Sequence, residues 1–180
     1  MDNKKYILVA MVAAQIILPA NMIFQRENVL RYGLTYRFET APVDPYDALR
    51  GRYVVLSVKN RSFEYKGGKE VVDGQTVYLL LEKDSDGYAY IKDILLQPPR
   101  LRNYIKTKVS YKRGNQLYFD LPFDRFYMNE YKAPKAEELY RKFSREGKKD
   151  GYVLVRVLNG AAVIEDLYLG GKPISGLFDN

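Results

Sequence analysis

The hydrophobic pattern divides the chain into two parts. Residues 6–24 read YILVAMVAAQIILPANMIF and contain no charged side chain. About 20 such residues form a helix long enough to cross the hydrocarbon core of a bilayer. The pattern predicts a transmembrane anchor over 6–24, with 1–5 as a cytoplasmic tail, 25–33 as a juxtamembrane linker, and 34–180 as one extracytoplasmic domain.

Two other interpretations of the apolar run stay open. A cleaved signal peptide needs small residues at the third and first positions before the cut, and Leu18-Pro19-Ala20 supplies only one of them. A buried core helix of a soluble domain seldom lacks a polar stripe over this length. We therefore favour an uncleaved signal anchor.

The charges on either side of the run bear on its orientation. Lys4 and Lys5 precede it, and Arg26 and Arg31 follow it, so a count of positive residues is nearly balanced. Two adjacent lysines directly before an apolar run resemble a signal-type insertion. We expect the amino terminus inside and the domain on the periplasmic side of a bacterial inner membrane.

After the anchor, short segments rich in Val, Ile, Leu and Tyr alternate with turn residues, as in antiparallel sheets. The predicted strands are 34–40, 52–59, 76–83, 87–94, 104–112, 116–121, 152–158 and 161–169. Asn159-Gly160 predicts a type I′ hairpin between the last two, because this pair readily adopts two positive φ angles. Two further hairpin loops are predicted at 84–87 and 113–115.

One amphipathic helix is predicted over 134–146. Its apolar residues recur at helical spacing, Pro134 suits the first turn, and Gly147 suits the end. The predicted fold class is therefore mainly β (α+β), a compact antiparallel β domain with one amphipathic helix, preceded by an N-terminal transmembrane helix.

The composition excludes several chemistries. The chain has 17 Tyr but no Trp, His or Cys. Without histidine and cysteine there is no Ser-His-Asp triad, no thiolate nucleophile, no disulfide and no usual zinc site. We expect no cofactor, no metal and no enzymatic activity.

Three weaker chemical candidates remain. Asp84-Ser85-Asp86-Gly87 resembles half of a calcium loop, but its context is a hairpin rather than an EF-hand. A pair of carboxylates for glycoside hydrolysis could come from the segments EKDSD and KAEEL, but their acidic residues have the pattern of ordinary surface residues. Ser57 and Lys59 lie two residues apart and so on one face of the predicted strand. In some hydrolases a lysine of lowered pKa acts as the base for a serine nucleophile, so a Ser/Lys hydrolase is an alternative.

The formal charge of +7 raises the question of nucleic acid. A strip suited to stacking bases and contacting phosphates would consist of Tyr104, Lys106, Lys108, Tyr111, Lys112 and Arg113. Lys106 and Lys108 also fit the polar face of an alternating strand. Because acidic residues are interspersed throughout and an anchor keeps the domain away from nucleic acid, we expect a solvated mixed surface.

The most distinctive segment is 42–58, PVDPYDALRGRYVVLSV. It resembles the GDYXXLXY family of bacterial membrane-anchored proteins, which has an Asp-Pro turn followed by a motif strand. Gly51, Tyr53 and Leu56 match the named motif, whereas Arg52 replaces the usual Asp and Val58 the final Tyr. The order of features also matches along nearly the whole chain. The continuous apolar run predicts a central strand buried on both faces.

The resemblance implies a small non-cytoplasmic domain that accompanies polytopic membrane proteins and has no established active site. We expect a membrane-tethered interaction or assembly module, with the bilayer and an integral membrane protein as partners and a ligand-sensing domain as a further alternative. The motif is the candidate contact region: Asp44, Asp47, Arg50, Gly51, Arg52, Tyr53 and Leu56. Arg50 and Arg52 are suited to contacts with an acidic partner.

Overall fold

A long N-terminal helix precedes a β domain. The computed structural model describes residues 3–41, 53–55, 57–58, 61–67, 70–100, 103–127, 138 and 151–178. Helix α1 (Asn3–Tyr32) includes the whole apolar run and continues for eight residues beyond Phe24. Residues 25–33 were expected to be a linker, but 25–32 are helical and only Gly33 lies beyond the end of the helix.

Twelve strands follow in the described residues, and most agree with the predicted segments. Their bounds are β1 (Leu34–Ala41), β2 (Tyr53–Val55), β3 (Ser57–Val58), β4 (Ser62–Glu64), β5 (Thr76–Lys83), β6 (Ala89–Leu95), β7 (Tyr104–Arg113), β8 (Gln116–Phe119), β9 (Arg125–Tyr127), β10 (Tyr152–Leu158), β11 (Ala161–Leu169) and β12 (Lys172–Pro173). A short 3₁₀ helix, Ser175–Phe178, follows β12. The mainly β fold class is confirmed.

The strands form two five-stranded antiparallel sheets and one separate pair. The first sheet has the order β12-β11-β10-β1-β3, the second has the order β4-β8-β7-β5-β6, and β2 pairs with β9. Isolated parallel bridges, Arg37 to Tyr88 and Ile105 to Gly160, also connect the two sheets. The two sheets therefore meet at two places as well as through the core.

Alternating side chains of both sheets form one hydrophobic core. Val153, Val155 and Val157 of β10 are fully buried, as are Val77 and Leu79 of β5. They belong to a single cluster that draws on both sheets. Burial of an alternate set of aliphatic residues stabilises each strand and also fixes its register, because a slip by one residue would expose the whole set.

The predicted turns have the expected backbone conformations. Asn159 and Gly160 have φ angles of 50° and 89°, as a type I′ turn requires, so this prediction is confirmed. In the loop after β5, the Asp84 carboxylate accepts hydrogen bonds from the backbone N–H groups of Asp86 and Tyr88 at 3.0 and 2.8 Å. This aspartate stabilises a hairpin turn, as the sequence context indicated.

Other predictions need correction or fall outside the described residues. Within the described strands, β3 lies at an edge of its sheet, so the motif strand is not the central strand that its apolar run predicted. Val58 is nevertheless buried, as expected. The predicted helix over 134–146 lies outside the described residues except for Glu138, which is helical.

The buried phenol of Tyr36 predicts a loss of stability at alkaline pH. Burial first, and then the charge of Glu82, raise the pKa of Tyr36 above its ordinary value of 10.0. Stability from the neutral phenol is thus complete below that value and is lost as the pH rises through the folded-state pKa. Melting curves of the Tyr36→Phe variant between pH 9 and 11 should show a weaker pH dependence than those of the wild type.

Tyr111→Phe is the control for this comparison, because the Tyr111 side chain is 49% exposed. It should keep the wild-type pH dependence. Equal slopes for Tyr36→Phe and the wild type would contradict the assignment.

Candidate interaction site

The motif segment begins and ends at the same edge of the first sheet. It leaves the described structure after Ala41, and Ser57 pairs with Ala41 in the antiparallel register between β1 and β3. At this point the Thr40 side chain and backbone N–H both donate hydrogen bonds to the Gly151 carbonyl, at 3.0 and 3.1 Å. The ends of the segment are therefore fixed by β1 and by the residue before β10.

Most of the predicted contact residues lie outside the described residues: Asp44, Asp47, Arg50, Gly51, Arg52 and Leu56. The backbone of Tyr53 begins β2 and pairs with that of Tyr127 in β9. The predicted strand over 52–59 thus contributes two short strands with different partners, because β2 pairs with β9 and β3 pairs with β1.

An aromatic patch lies on the outer face of the sheet near this edge. Its members are Arg37, Tyr88, Tyr152 and Tyr168, and we call it the motif-side patch. The rings of Tyr152 and Tyr168 stack with centroids 4.8 Å apart and an interplanar angle of 7°. The Arg37 guanidinium carbon lies 5.3 Å from the Tyr152 ring centroid, and Tyr88 meets the same ring edge-on at 6.1 Å.

The local folding of the sheet explains this geometry. Tyr152 and Tyr168 are directly opposed in the register of β10 and β11, so their rings lie on one face. Partial burial first, and then the charge of Asp166, raise the pKa of Tyr168 above its ordinary value. Rigid tyrosines beside an exposed arginine are typical of protein interfaces.

The buried carboxylate of Asp166 lies beside this patch and was missed by sequence reasoning. Asp166 accepts hydrogen bonds from the backbone N–H of Leu167 at 2.8 Å and from that of Ser175 at 3.4 Å. It also accepts one from the Ser175 hydroxyl. Through its two hydrogen bonds with Ser175, Asp166 holds the start of the 3₁₀ helix against β11. Asp166 lies opposite Leu154, next to a register irregularity, and shares its face of the sheet with Tyr168; no sequence pattern indicated that it would be buried.

The other chemical candidates are not brought together by the described structure. Ser57 lies on the edge strand β3, whereas Lys59 is outside the described residues, so the Ser/Lys pair stays a prediction. Across the described ranges, no group of three or more metal-ligating side chains could hold a metal ion.

The basic strip on β7 has the alternation of an ordinary solvated strand. Lys106 and Lys108 are exposed, whereas Thr107 and Val109 between and after them are buried. Tyr104 is 8% exposed and therefore offers no free ring face for a base. The alternating polar face predicted for this strand is confirmed.

A second candidate feature is the junction between α1 and the domain. Val29, in the last turns of the helix, is 6% exposed because α1 packs on β10 and β11. Arg156 of β10 forms a two-pronged ion pair with Glu165, with N–O distances of 2.6 and 3.0 Å, and also donates a hydrogen bond to the Gly33 carbonyl at 3.4 Å. The helix end is therefore attached to the sheet by packing and by hydrogen bonds.

Gly33 makes this junction sensitive to substitution. A Cβ atom there would lie 2.3 Å from the Val29 carbonyl oxygen and 3.0 Å from Cβ of Arg156, so the backbone would have to shift. We expect Gly33→Ala to lower the free energy of unfolding by about 1–3 kcal/mol. The shift should also expose the peptide bond after Arg31 to trypsin, and thermal melting with limited proteolysis of the full-length protein in detergent would measure both effects.

Gly176→Ala is the matched control, because its nearest heavy atom would be 3.7 Å away. It should change the stability by less than about 0.5 kcal/mol. Unaltered melting and trypsin resistance in Gly33→Ala would show that the helix end is not tightly packed on the sheet.

The fold thus defines a class of protein, in which one long apolar helix continues directly into an antiparallel β domain. The model of the GDYXXLXY protein family matches residues 15–167, so the chain belongs to the GDYXXLXY family. The match extends from the middle of α1 nearly to the end of β11. No curated protein and no solved structure matches the chain.

Proposed function

We propose that the protein is a single-pass membrane protein that presents its β domain on the non-cytoplasmic side of a bacterial inner membrane. There it acts as an interaction or assembly module for an integral membrane protein. The observation that carries the proposal is the uncovered apolar surface of α1. No side chain in its most apolar window is buried by the rest of the protein, and the helix is long and apolar enough to cross a membrane.

The size of this surface argues for a bilayer. Ile7, Ile16, Leu18 and Phe24 are each at least 60% exposed. Soluble monomers rarely expose apolar patches of more than a few hundred Å². The 19 residues from 6 to 24 extend about 28 Å as a helix, close to the hydrocarbon thickness of about 30 Å.

The helical segment after the apolar run limits where a partner can be. Residues 25–32 add about 12 Å at 1.5 Å per residue before the domain begins. Because Val29 and Gly33 attach the helix end to the sheet, the domain stays close to the lipid headgroups. A partner that is itself embedded in the membrane fits this placement best.

The motif and the motif-side patch are the proposed contact region. Asp44, Asp47, Arg50, Gly51, Arg52, Tyr53 and Leu56 belong to a segment whose ends meet at β1 and β3. Arg37 of the patch lies on β1, which leads directly into that segment, and its side chain is exposed. Together they offer arginines and tyrosines to an acidic, partly apolar surface.

Affinity purification from detergent-solubilised native membranes tests the proposal. The wild type should retain one other integral membrane chain in stoichiometric amount, and Arg52→Asp or Arg37→Asp should reduce its recovery about tenfold or more. Lys112→Asp is the matched control, because it reverses an exposed charge on β7 of the other sheet and should leave recovery unchanged.

Melting curves of all three variants would confirm that the domain is folded. Purification of the wild type without any stoichiometric membrane chain would contradict the assembly role. Equal losses in Lys112→Asp and Arg37→Asp would place the contact elsewhere.

A further inference from the structure

The central polar residue of α1 is Gln15. It is the middle position of the apolar run 6–24, so in a spanning helix its side chain lies near the bilayer midplane. The side chain is exposed, and the described residues provide it with no hydrogen-bond partner. An amide left without a partner in hydrocarbon is destabilised by several kcal/mol.

Pro19 leaves a second polar group without a partner at the same place. It lies inside the helix, one turn after Gln15. A proline has no N–H group, so the backbone carbonyl of residue 15 cannot accept the usual hydrogen bond from four residues ahead. The Gln15 amide and this carbonyl therefore lie on one side of the helix, and in a bilayer a neighbouring helix is one source of the hydrogen bonds that they lack.

The apolar residues on the same side have the spacing of a helix–helix interface. Leu8, Met11, Gln15, Leu18 and Met22 follow one another at intervals of three and four, and we call them the Gln15 seam. The four apolar members are 57–71% exposed. Alternating steps of three and four keep a stripe facing one neighbouring helix over several turns.

We propose that two copies of the chain pair in parallel through the Gln15 seam. The inference rests on the proposed function, since it requires α1 to span a membrane. An amide both donates and accepts hydrogen bonds, so two glutamines can bond to each other or to the freed carbonyls. Two copies inserted in the same direction bring Gln15 to the same depth, and a two-fold axis makes the contact reciprocal.

Asn21 is not part of this contact. It follows Gln15 by six residues, which rotates it about 240° around the helix at about 100° per residue. It also lies only three residues before the end of the apolar run, close to the headgroups. Gln15 is therefore the polar residue that requires a partner within the hydrocarbon.

Cysteine cross-linking in native membranes tests the pairing, because the natural chain has no cysteine. Leu18→Cys lies on the seam, and Ile17→Cys is its neighbour at almost the same depth on another face. On mild oxidation, Leu18→Cys should form a product of two chains, and Ile17→Cys should form little or none. Equal cross-linking at both positions, or none at Leu18, would overturn the proposal.

The role of the amide is tested by adding a second substitution to Leu18→Cys. Gln15→Leu should weaken self-association about 3- to 30-fold, which corresponds to the range measured for interhelical hydrogen bonds in membranes. Gln15→Asn, which keeps an amide, should retain more of the cross-linked product than Gln15→Leu. Unchanged cross-linking in Gln15→Leu would show that the amide does not hold the pair.

Alkaline extraction of the same membranes separates this inference from the proposed function. Release of the wild-type protein would show that α1 does not span the membrane and would contradict both proposals. Retention of the protein without cross-linking at Leu18 would overturn the pairing alone.

Discussion

Replacing Phe38 with alanine should lower the free energy of unfolding by about 3–5 kcal/mol. Phe38 is 2% exposed, and its ring centroid lies 4.9 Å from that of Phe123, in the loop between β8 and β9. The substitution leaves a cavity between β1 of the first sheet and this connection from the second. Thermal melting of the full-length protein in detergent should show a decrease in Tm of about 10 °C.

Leu34→Ala on the same strand is the control. Its side chain is 44% exposed, so truncation should change the stability by less than about 0.5 kcal/mol. Similar decreases in Tm for the two variants would contradict the assignment of Phe38 to the core.

Placing two aspartates in the middle of α1 should release the protein from the membrane. At the centre of a spanning helix, each aspartate disfavours insertion by about 2.5–3.5 kcal/mol on the biological insertion scale. The double substitution Val12→Asp and Ile16→Asp thus removes about 5–7 kcal/mol from insertion. The fraction of protein retained in membranes after alkaline extraction should fall from nearly all to a small part.

Gln25→Asp is the matched control, because it introduces an aspartate just beyond the apolar run. It should leave retention unchanged. Retention of the doubly substituted protein at the wild-type level would show that the helix is not held by a hydrocarbon environment.

The fold was predictable where the sequence pattern is long. Strands β5, β10 and β11 have the predicted bounds, because seven to nine residues are enough to show an alternation. Asn159-Gly160 then specified the hairpin between β10 and β11. The three strands that were not predicted, β4, β9 and β12, have only two or three residues each. A strand of that length shows no period, and its conformation depends on its partner in the sheet.

Two segments differ from the prediction, the first in its place in the sheet and the second in its conformation. The motif strand reads as central because it is apolar, yet β3 is at a sheet edge within the described strands. The segment after Phe24 reads as a linker because it is polar, yet Gln25, Arg26 and Glu27 are good helix formers. Glu27 also pairs with Arg31 one turn later at 3.8 Å. That i,i+4 pair before Gly33 is the signal that would have indicated the longer helix.

The candidate site was predictable only in part. The motif indicated a region of the chain, and the register of β1 and β3 shows where its ends lie. The motif-side patch joins Arg37, Tyr88, Tyr152 and Tyr168, which are far apart in sequence. Only the sheet pairing brings them together. The same holds for Arg156, whose contact with Gly33 spans 123 residues.

The side of the membrane on which the domain lies is the most direct test of the proposed function. Single cysteines at Ser110, exposed on β7, and at Asn3, where α1 begins, would report the two sides in an otherwise cysteine-free chain. In spheroplasts, a membrane-impermeant thiol reagent should label Ser110→Cys at once and Asn3→Cys only after the membrane is permeabilised. Labelling of Asn3→Cys but not of Ser110→Cys in intact spheroplasts would contradict the proposed orientation and, with it, an extracytoplasmic role.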